Sequence, residues 1–270
     1  MRVRPVLVLT AGVLAASSLV AGASASTTTT AVAGTEHYGC WFAEATLTGT
    51  GELVGTEGRD VIVATPPATV RALGGDDVIC VEDDAGEGAV QVFAGSGDDE
   101  VTVLTYTSAA GDTFVGGRGR DYLNLGSLDG QLSLDLARGE VHTDESLSGP
   151  AEATATGFED AWLLAARAVL LGTSGPNRLS LTGCDLKATG GRGSDRISRL
   201  ADNYHELYTN DFFDNCPDGM RARFSGGRGR DRILGSLGDD RLIGGRGRDR
   251  IDGWSGKDLC RAEVTKRCER

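Results

Sequence analysis

The sequence predicts an all-β chain wound into a stack of short parallel strands. Three observations carry that expectation. Residues 226–261 divide without a gap into four nine-residue units, GGRGRDRIL, GSLGDDRLI, GGRGRDRID and GWSGKDLCR. Each of the first three units sets one large aliphatic residue at position 8 directly after an arginine, as in a strand buried on one face. Glycine makes up 40 of the 270 residues and aromatic residues are few, a balance that suits a turn-rich coil better than a large globular core.

The period takes precedence over local propensity. Position 1 is Gly226, Gly235, Gly244 and Gly253, and position 4 is Gly229, Gly238, Gly247 and Gly256. Position 6 is Asp231, Asp240, Asp249 and Asp258, and position 8 is Ile233, Leu242, Ile251 and Cys260. Positions 1 to 6 read as a tight turn, in which glycine supplies positive φ and lets carbonyls turn inward. Positions 7 to 9 read as a strand too short to stand alone, so the units must stack. Two units make a coil of 18 residues with turns on opposite edges. Stacking then brings Asp231 beside Asp249 and Asp240 beside Asp258. Bare carboxylates so placed repel each other. Together with turn carbonyls they form a cage of hard oxygens, the donor set that Ca²⁺ takes in groups of roughly six to eight.

This run resembles the RTX, or hemolysin-type, calcium-binding repeat, GGxGxDxUx with U a large apolar residue. The resemblance implies a parallel β-roll, a β-solenoid with calcium between successive turns on each edge. It implies as ligands the position-6 aspartates and main-chain carbonyls. Asp239, at position 5 of the second unit, joins the candidates. A glycine-rich solenoid can also turn without metal. Arg228, Arg230, Arg246 and Arg248 favour that alternative by setting positive charge beside the carboxylates. The glycine runs are not phosphate loops: no Lys-Ser or Lys-Thr follows one, and no GxGxxG opens a predicted helix.

From the start of the chain, residues 1–25 read as a secretory signal peptide. Arg2 and Arg4 form the basic end, Val6 to Val20 the apolar stretch and Ala23-Ser24-Ala25 the cleavage site. The apolar stretch is short for a membrane span and no other segment is long and apolar enough, so the mature chain is expected to be extracellular and soluble. Removing Arg2 and Arg4 leaves 25 Lys+Arg against 39 acids, a net charge of −14. That balance argues against nucleic acid and anionic membranes as partners and suits cations. Residues 26–37 read as a flexible leader.

Over 38–130 the unit returns in degenerate form. GTEGRDVIV places Asp60, ALGGDDVIC places Asp77, AGSGDDEVT places Asp99 and GGRGRDYLN places Asp121 at position 6. Their spacings of 17, 22 and 22 residues exceed or undercut a regular coil and imply bulges or loops. Residues 131–171 lack the glycine signature. LSLDLARGEV alternates and then turns at Arg138-Gly139, which reads as a hairpin. With GFEDAW, this section resembles the non-repeat coils of serralysin-type C-terminal domains. Residues 161–171 (AWLLAARAVLL) are compatible with a buried helix, but two strands are preferred because the unit resumes in register. Over 172–198, GTSGPNRLS has Asn177 at position 6 and GGRGSDRIS has Asp195. Residues 199–225 break the pattern and hold Tyr204, His205, Tyr208, Phe212, Phe213 and Cys216. Two readings stay open there, two degenerate coils or an insertion that loops out, and its aromatic residues serve as a cover or as a partner surface. Residues 226–270 are the C-terminal repeats and cap.

Six cysteines in an exported chain imply disulfides. Cys260–Cys268 would cap the last coil, whose end otherwise exposes strand edges. Local order suggests Cys40–Cys80 and Cys184–Cys216. No Cys-x-x-Cys pair or His cluster suggests zinc. There is no His-Glu-x-x-His and no Gly-x-Ser-x-Gly, and His37, His142 and His205 are scattered. The sequence therefore predicts a secreted, non-enzymatic calcium-binding repeat protein with Ca²⁺ as folding cofactor. A polysaccharide lyase or epimerase, or a surface adhesin, on the same scaffold is the alternative.

Overall fold

The computed structural model describes residues 43–82, 88–103, 111–144, 147, 149–199, 216 and 219–269. Residues 1–25, read above as a signal peptide, residues 26–37, read as a leader, Cys40 and the aromatic residues 204–213 lie outside the described residues. Every regular element among the described residues is a strand. The first nine are β1 (Leu47–Val54), β2 (Val61–Arg71), β3 (Val78–Val81), β4 (Val90–Ser96), β5 (Glu100–Val103), β6 (Thr113–Arg118), β7 (Tyr122–Asp135), β8 (Glu140–His142) and β9 (Ala153–Thr156). Next come β10 (Asp160–Leu171), β11 (Arg178–Thr182), β12 (Asp185–Arg192), β13 (Arg196–Ser198) and β14 (Arg221–Gly229). The chain ends in β15 (Arg232–Leu234), β16 (Arg241–Gly247), β17 (Arg250–Asp252), β18 (Leu259–Arg261) and β19 (Val264–Lys266).

Most strands pair in parallel with the strand two places on, which produces two parallel ladders. One ladder stacks the position-8 residues. Ile62, Ile79, Val101, Leu123, Ala161, Leu179, Ile197, Ile233 and Ile251 follow one another in register. All nine are buried. The facing ladder stacks Leu134, Leu170, Ala188, Phe224, Leu242 and Cys260. Burying each Ile or Leu of these stacks stabilises by about 1.5–3 kcal/mol. That term compensates for the ordering of strands only three residues long.

β7 and β10 are long because each bends and lends one half to each ladder. β10 pairs through Ala161–Leu164 with β11 and through Arg167–Leu171 with β12. The expectation of two strands over 161–171 is thereby corrected to one strand of 12 residues. AWLLAARAVLL contains no glycine or proline to interrupt it, and the corner is a register shift between Ala165 and Arg167. The carbonyl of Ala166 at that corner accepts from the Cys184 amide (3.0 Å).

The 131–171 section holds the antiparallel pairs. β7 runs against β8, β8 runs against β9, and β9 rejoins β6 in parallel. The turn at Arg138-Gly139 closes this hairpin, with Gly139 at a φ of 70°.

Strand pairing continues directly across the region after β13. β12 pairs directly with β14 (Asp185↔Arg221), and β13 pairs with β15 (Arg196↔Arg232). Each partner lies 36 residues on, the separation recorded for the Asp195–Asp231 and Arg221–Asp185 contacts. Residues 200–215, 217 and 218, where either two coils or an insertion is expected, lie outside the described residues. Cys216 is bonded to Cys184 (Cα–Cα 5.4 Å). Cys260 and Cys268 join the last coil to the tail (Cα–Cα 5.8 Å). Cys80 is disulfide-bonded as well.

Candidate metal centre

Each nonapeptide turn ends on an inward-turned position-6 side chain, and these residues link coil to coil. The Asp231 amide donates to Oδ1 of Asp249 (2.9 Å), and the Asp195 amide donates to Oδ1 of Asp231 (2.8 Å). The same bond joins Asp60 to Asp77 (2.7 Å), Asp77 to Asp99 (2.9 Å) and Asp99 to Asp121 (2.9 Å). The row then passes through the Asp121 amide to Oε2 of Glu159 (3.0 Å). Asn177 donates its side-chain amide to the Glu159 carbonyl and its backbone amide to Oδ1 of Asp195 (2.9 Å). The row closes at the Asp249 amide on Oε2 of Glu263 (2.8 Å). One edge therefore carries an unbroken row from Asp60 to Glu263. On the opposite edge the Ala222 amide donates to Oδ1 of Asp240 (2.6 Å) and the Asp240 amide to Oδ1 of Asp258 (3.0 Å).

The structure thus brings Asp231 beside Asp249 and Asp240 beside Asp258, and it extends the first pair through Asp195, Asp121, Asp99, Asp77 and Asp60. Asp239 stands apart. It is exposed, and its Oδ1 accepts from the Lys257 amide (2.8 Å). Asp98 makes the equivalent contact on the other edge, where its Oδ1 accepts from the Arg120 amide (2.8 Å).

Two glycine positions explain the motif. A Cβ on Gly226 would lie 2.3 Å from Oδ2 of Asp231, so in this unit a bare position 1 makes room for the inward carboxylate. Gly229 has a φ of 141°, and a Cβ there would lie 1.4 Å from the Gly193 carbonyl oxygen of the neighbouring coil. Position 4 of this turn is where its backbone stacks on the next, and no larger residue fits there.

The turns come in two kinds. Where position 2 is Leu73, Gly95, Gly117, Gly191, Gly227, Gly245 or Trp254, that residue is left-handed, with φ between 75° and 118°. In every one of these turns Oδ2 of the position-6 aspartate is buried without a hydrogen-bond partner: Asp77, Asp99, Asp121, Asp195, Asp231, Asp249 and Asp258. Where position 2 is Thr56, Thr173 or Ser236, the turn closes on itself. Thr56 donates its amide (2.7 Å) and hydroxyl (2.9 Å) to Oδ2 of Asp60. Thr173 does the same to Oδ1 of Asn177 (2.8 and 3.2 Å). Ser236 donates its amide to Oδ2 and its hydroxyl to Oδ1 (2.6 Å) of Asp240.

Electrostatics follow from this arrangement. Burial pushes the carboxyls of Asp77, Asp121 and Asp195 up to about 6, and neighbouring aspartates add to the rise. Burial raises Asp99, Asp231, Asp240 and Asp258 as well. Carboxyls buried beside one another disfavour ionisation unless a positive charge joins them.

Sequence reasoning missed the middle of the row. Glu159 takes a rung without a nonapeptide, and its neighbour Asp160 is held by Arg120 through two bonds (2.8 and 2.7 Å). Burial outweighs that pairing and keeps the Asp160 carboxyl raised. The pair Glu159-Asp160 within GFEDAW was the available signal, but only the 38-residue jump from Asp121 in the pairing makes it legible.

The arrangement suits a hard cation. Among the described residues no group of three or more His, Cys, Asp or Glu side chains converges on one point. A cation would therefore rest on one or two carboxylates and on main-chain oxygens, a donor set that Ca²⁺ accepts. The orphaned Oδ2 atoms supply carboxylate donors for it.

The family of the RTX calcium-binding nonapeptide repeat matches the chain in four copies, over residues 106–129 and 225–260. The chain carries that repeat, and the structure continues the same row beyond both segments, to Asp60, Asp77, Asp99 and Asp195. No curated protein matches the chain.

Proposed function

We propose that the chain is a secreted, non-enzymatic calcium-binding repeat protein in which Ca²⁺ is a folding and stabilising cofactor. On this reading the two parallel ladders are the walls of a β-roll, and the stacked turns hold the ions along its edges. The seven buried Oδ2 atoms without a hydrogen-bond partner carry the proposal. A buried acceptor left unmade costs about 1–3 kcal/mol, and more when charged. A bound divalent cation supplies the positive charge that lets adjacent carboxylates ionise together. The chain's own residues hold the carboxylates in place through amide-to-Oδ1 bonds and keep water out with the stacked turns.

Secretion is supported by the disulfides, which persist in oxidising surroundings. A binding role is supported by the layout of the buried carboxylates, which form a row along a coil edge rather than a pair across a cleft. A ligand that binds only the folded state stabilises it, and extracellular calcium modules work at about 10⁻⁴–10⁻³ M.

The test is a calorimetric titration of the mature protein with Ca²⁺, joined to far-UV circular dichroism. The expected result is saturable heat and a gain of β signal as calcium is added to chelated protein. Asp231→Ala should raise the calcium midpoint more than Asp185→Ala, whose carboxylate instead pairs with Arg221 (2.9 Å). An unchanged, fully ordered spectrum after chelation, with no heat of binding, would reject the proposal.

A further inference from the structure

The two kinds of turn differ in a way that the repeat pattern does not reveal, because position 6 looks alike in both. In the left-handed turns the position-2 amide and side chain leave Oδ2 with no donor. In the closed turns a Ser or Thr at position 2 aims two donors at the position-6 side chain. A cation entering a closed turn would have to displace those donors and face an N–H turned toward it. An acceptor that already holds its hydrogen bonds gains little from a metal and loses both bonds by taking one.

We infer that the closed turns at residues 55–60, 172–177 and 235–240 are metal-independent locks, and that calcium enters only between neighbouring left-handed turns. The inference rests on the calcium reading above and assigns the ions within it. Asp60 and Asp240 are thereby removed from the ligands that the spacing suggests.

An independent observation supports the division. Position 6 is neutral only at Asn177, and Asn177 stands in a closed turn, where Thr173 donates to its Oδ1 and its own Nδ2 donates to Thr173 Oγ1 (3.1 Å). A side chain without charge suffices there because no cation has to be held. One closed turn ends the row, one interrupts it and one lies opposite it. Asp60 stands at its beginning, Asn177 beside the Glu159 rung, and Asp240 on the short opposite edge. Arg120 supplies a fixed positive charge to Asp160 in the same middle section. Neighbouring left-handed turns occur as Asp77 with Asp99, Asp99 with Asp121, Asp195 with Asp231, and Asp231 with Asp249. These four pairs are the assigned ion sites.

The experiment counts ions on the intact mature chain by native mass spectrometry and calorimetry at millimolar Ca²⁺, for the wild type and three variants. The wild type is expected to hold four ions. Asp231→Asn, which belongs to two pairs, should hold two fewer. Asp240→Asn should hold as many as the wild type. Ser236→Gly opens the turn before Asp240 and should gain one ion, shared with Asp258. Loss of ions in Asp240→Asn to the extent seen in Asp231→Asn would overturn the inference and leave the calcium reading intact. So would a Ser236→Gly variant that folds and gains none, and this arm decides the matter should Asp240→Asn fail to fold. Wild-type protein that retains no calcium would overturn both.

Discussion

The coils before Tyr122 and those after Arg221 use the same turn and differ in what lies opposite it. In the first group successive rungs are 22 residues apart, from Asp77 to Asp99 to Asp121, and only one edge carries nonapeptide turns. In the second group rungs are 18 residues apart and both edges carry them, Asp231–Asp249 on one and Asp240–Asp258 on the other. On the far edge of the first group the buried Asp112 accepts from the Val90 amide through its Oδ1 (2.9 Å). Coil length is therefore free wherever the far edge is a loop and fixed wherever both edges are nonapeptide turns. The two groups also bury different amounts of apolar side chain. The coil from Val61 to Val81 buries Ile62, Ala64, Ala68, Val70, Ala72 and Ile79, whereas residues 226–261 bury only Ile233, Leu242 and Ile251 as hydrophobic residues. The first group has a core that resembles an ordinary domain, and the second leans on its edges.

The largest expected effect of that difference is on chelation. Amide hydrogen exchange in excess EDTA should rise by orders of magnitude over β14–β19 and far less over β2–β6. Local stability tracks buried apolar contacts, and the C-terminal coils have few. Uniform loss of protection along the whole ladder would abolish the distinction between the groups.

Next in size are the position-8 truncations. Ile79→Ala and Ile233→Ala each remove a buried aliphatic side chain and should each cost about 2–5 kcal/mol. In denaturant melts with calcium, Ile233→Ala should release the C-terminal coils in a separate, earlier transition. Ile79→Ala should instead lower the main transition. A single shared transition in both variants would mean that the groups unfold as one.

A smaller effect is expected at the boundary between the groups. Arg120→Ala leaves the buried Asp160 carboxylate without its guanidinium, and about 1–3 kcal/mol should be lost. Arg120 is 39% exposed, so solvent shares the pairing and holds the loss to that range. A thermal melt of the variant checks it, and an unchanged Tm would show that Arg120 holds no rung of the row.

How far the sequence reached follows the same division. The strict period over 226–261 made strands, turns and the stacking of Asp231 on Asp249 legible, because 18 residues close one coil without remainder. The spacings of 17 and 22 located Asp60, Asp77, Asp99 and Asp121 but not the fact that they share a row with Asp195 and Asp249. That needed the pairing of β7 with β10 across the hairpin, a contact that no local pattern encodes. The region after β13 was hard to read for a related reason: its 36-residue jump equals two coils in length, and no local pattern shows that β12 lies directly against β14. Position 2 was the least legible. Thr56, Thr173 and Ser236 look like ordinary departures from glycine until their amides and hydroxyls are seen on the position-6 side chain.

The smallest effect, and the one that separates protons from calcium, is pH dependence. The carboxyls of Asp77, Asp121 and Asp195 stand at about 6 in the folded chain against an ordinary 3.8, with burial the main cause. The folded state then holds protons that the unfolded state has released, so stability falls with rising pH across that interval. Their contribution is fully present below 3.8 and is lost as pH rises through about 6. Without calcium, the Tm by scanning calorimetry should be a few degrees higher at pH 5 than at pH 7. On the proposed function calcium would compete with those protons for the same oxygens, so at millimolar Ca²⁺ the order should reverse. Relief of the general negative charge also favours acid in the chelated protein. Asp195→Asn separates the two causes: it removes one titrating group of the row and should flatten the pH slope by more than Asp185→Asn, which removes a half-buried, Arg221-paired charge of the same sign outside the row. Equal flattening by both variants would assign the slope to net charge and leave the row without a role in it.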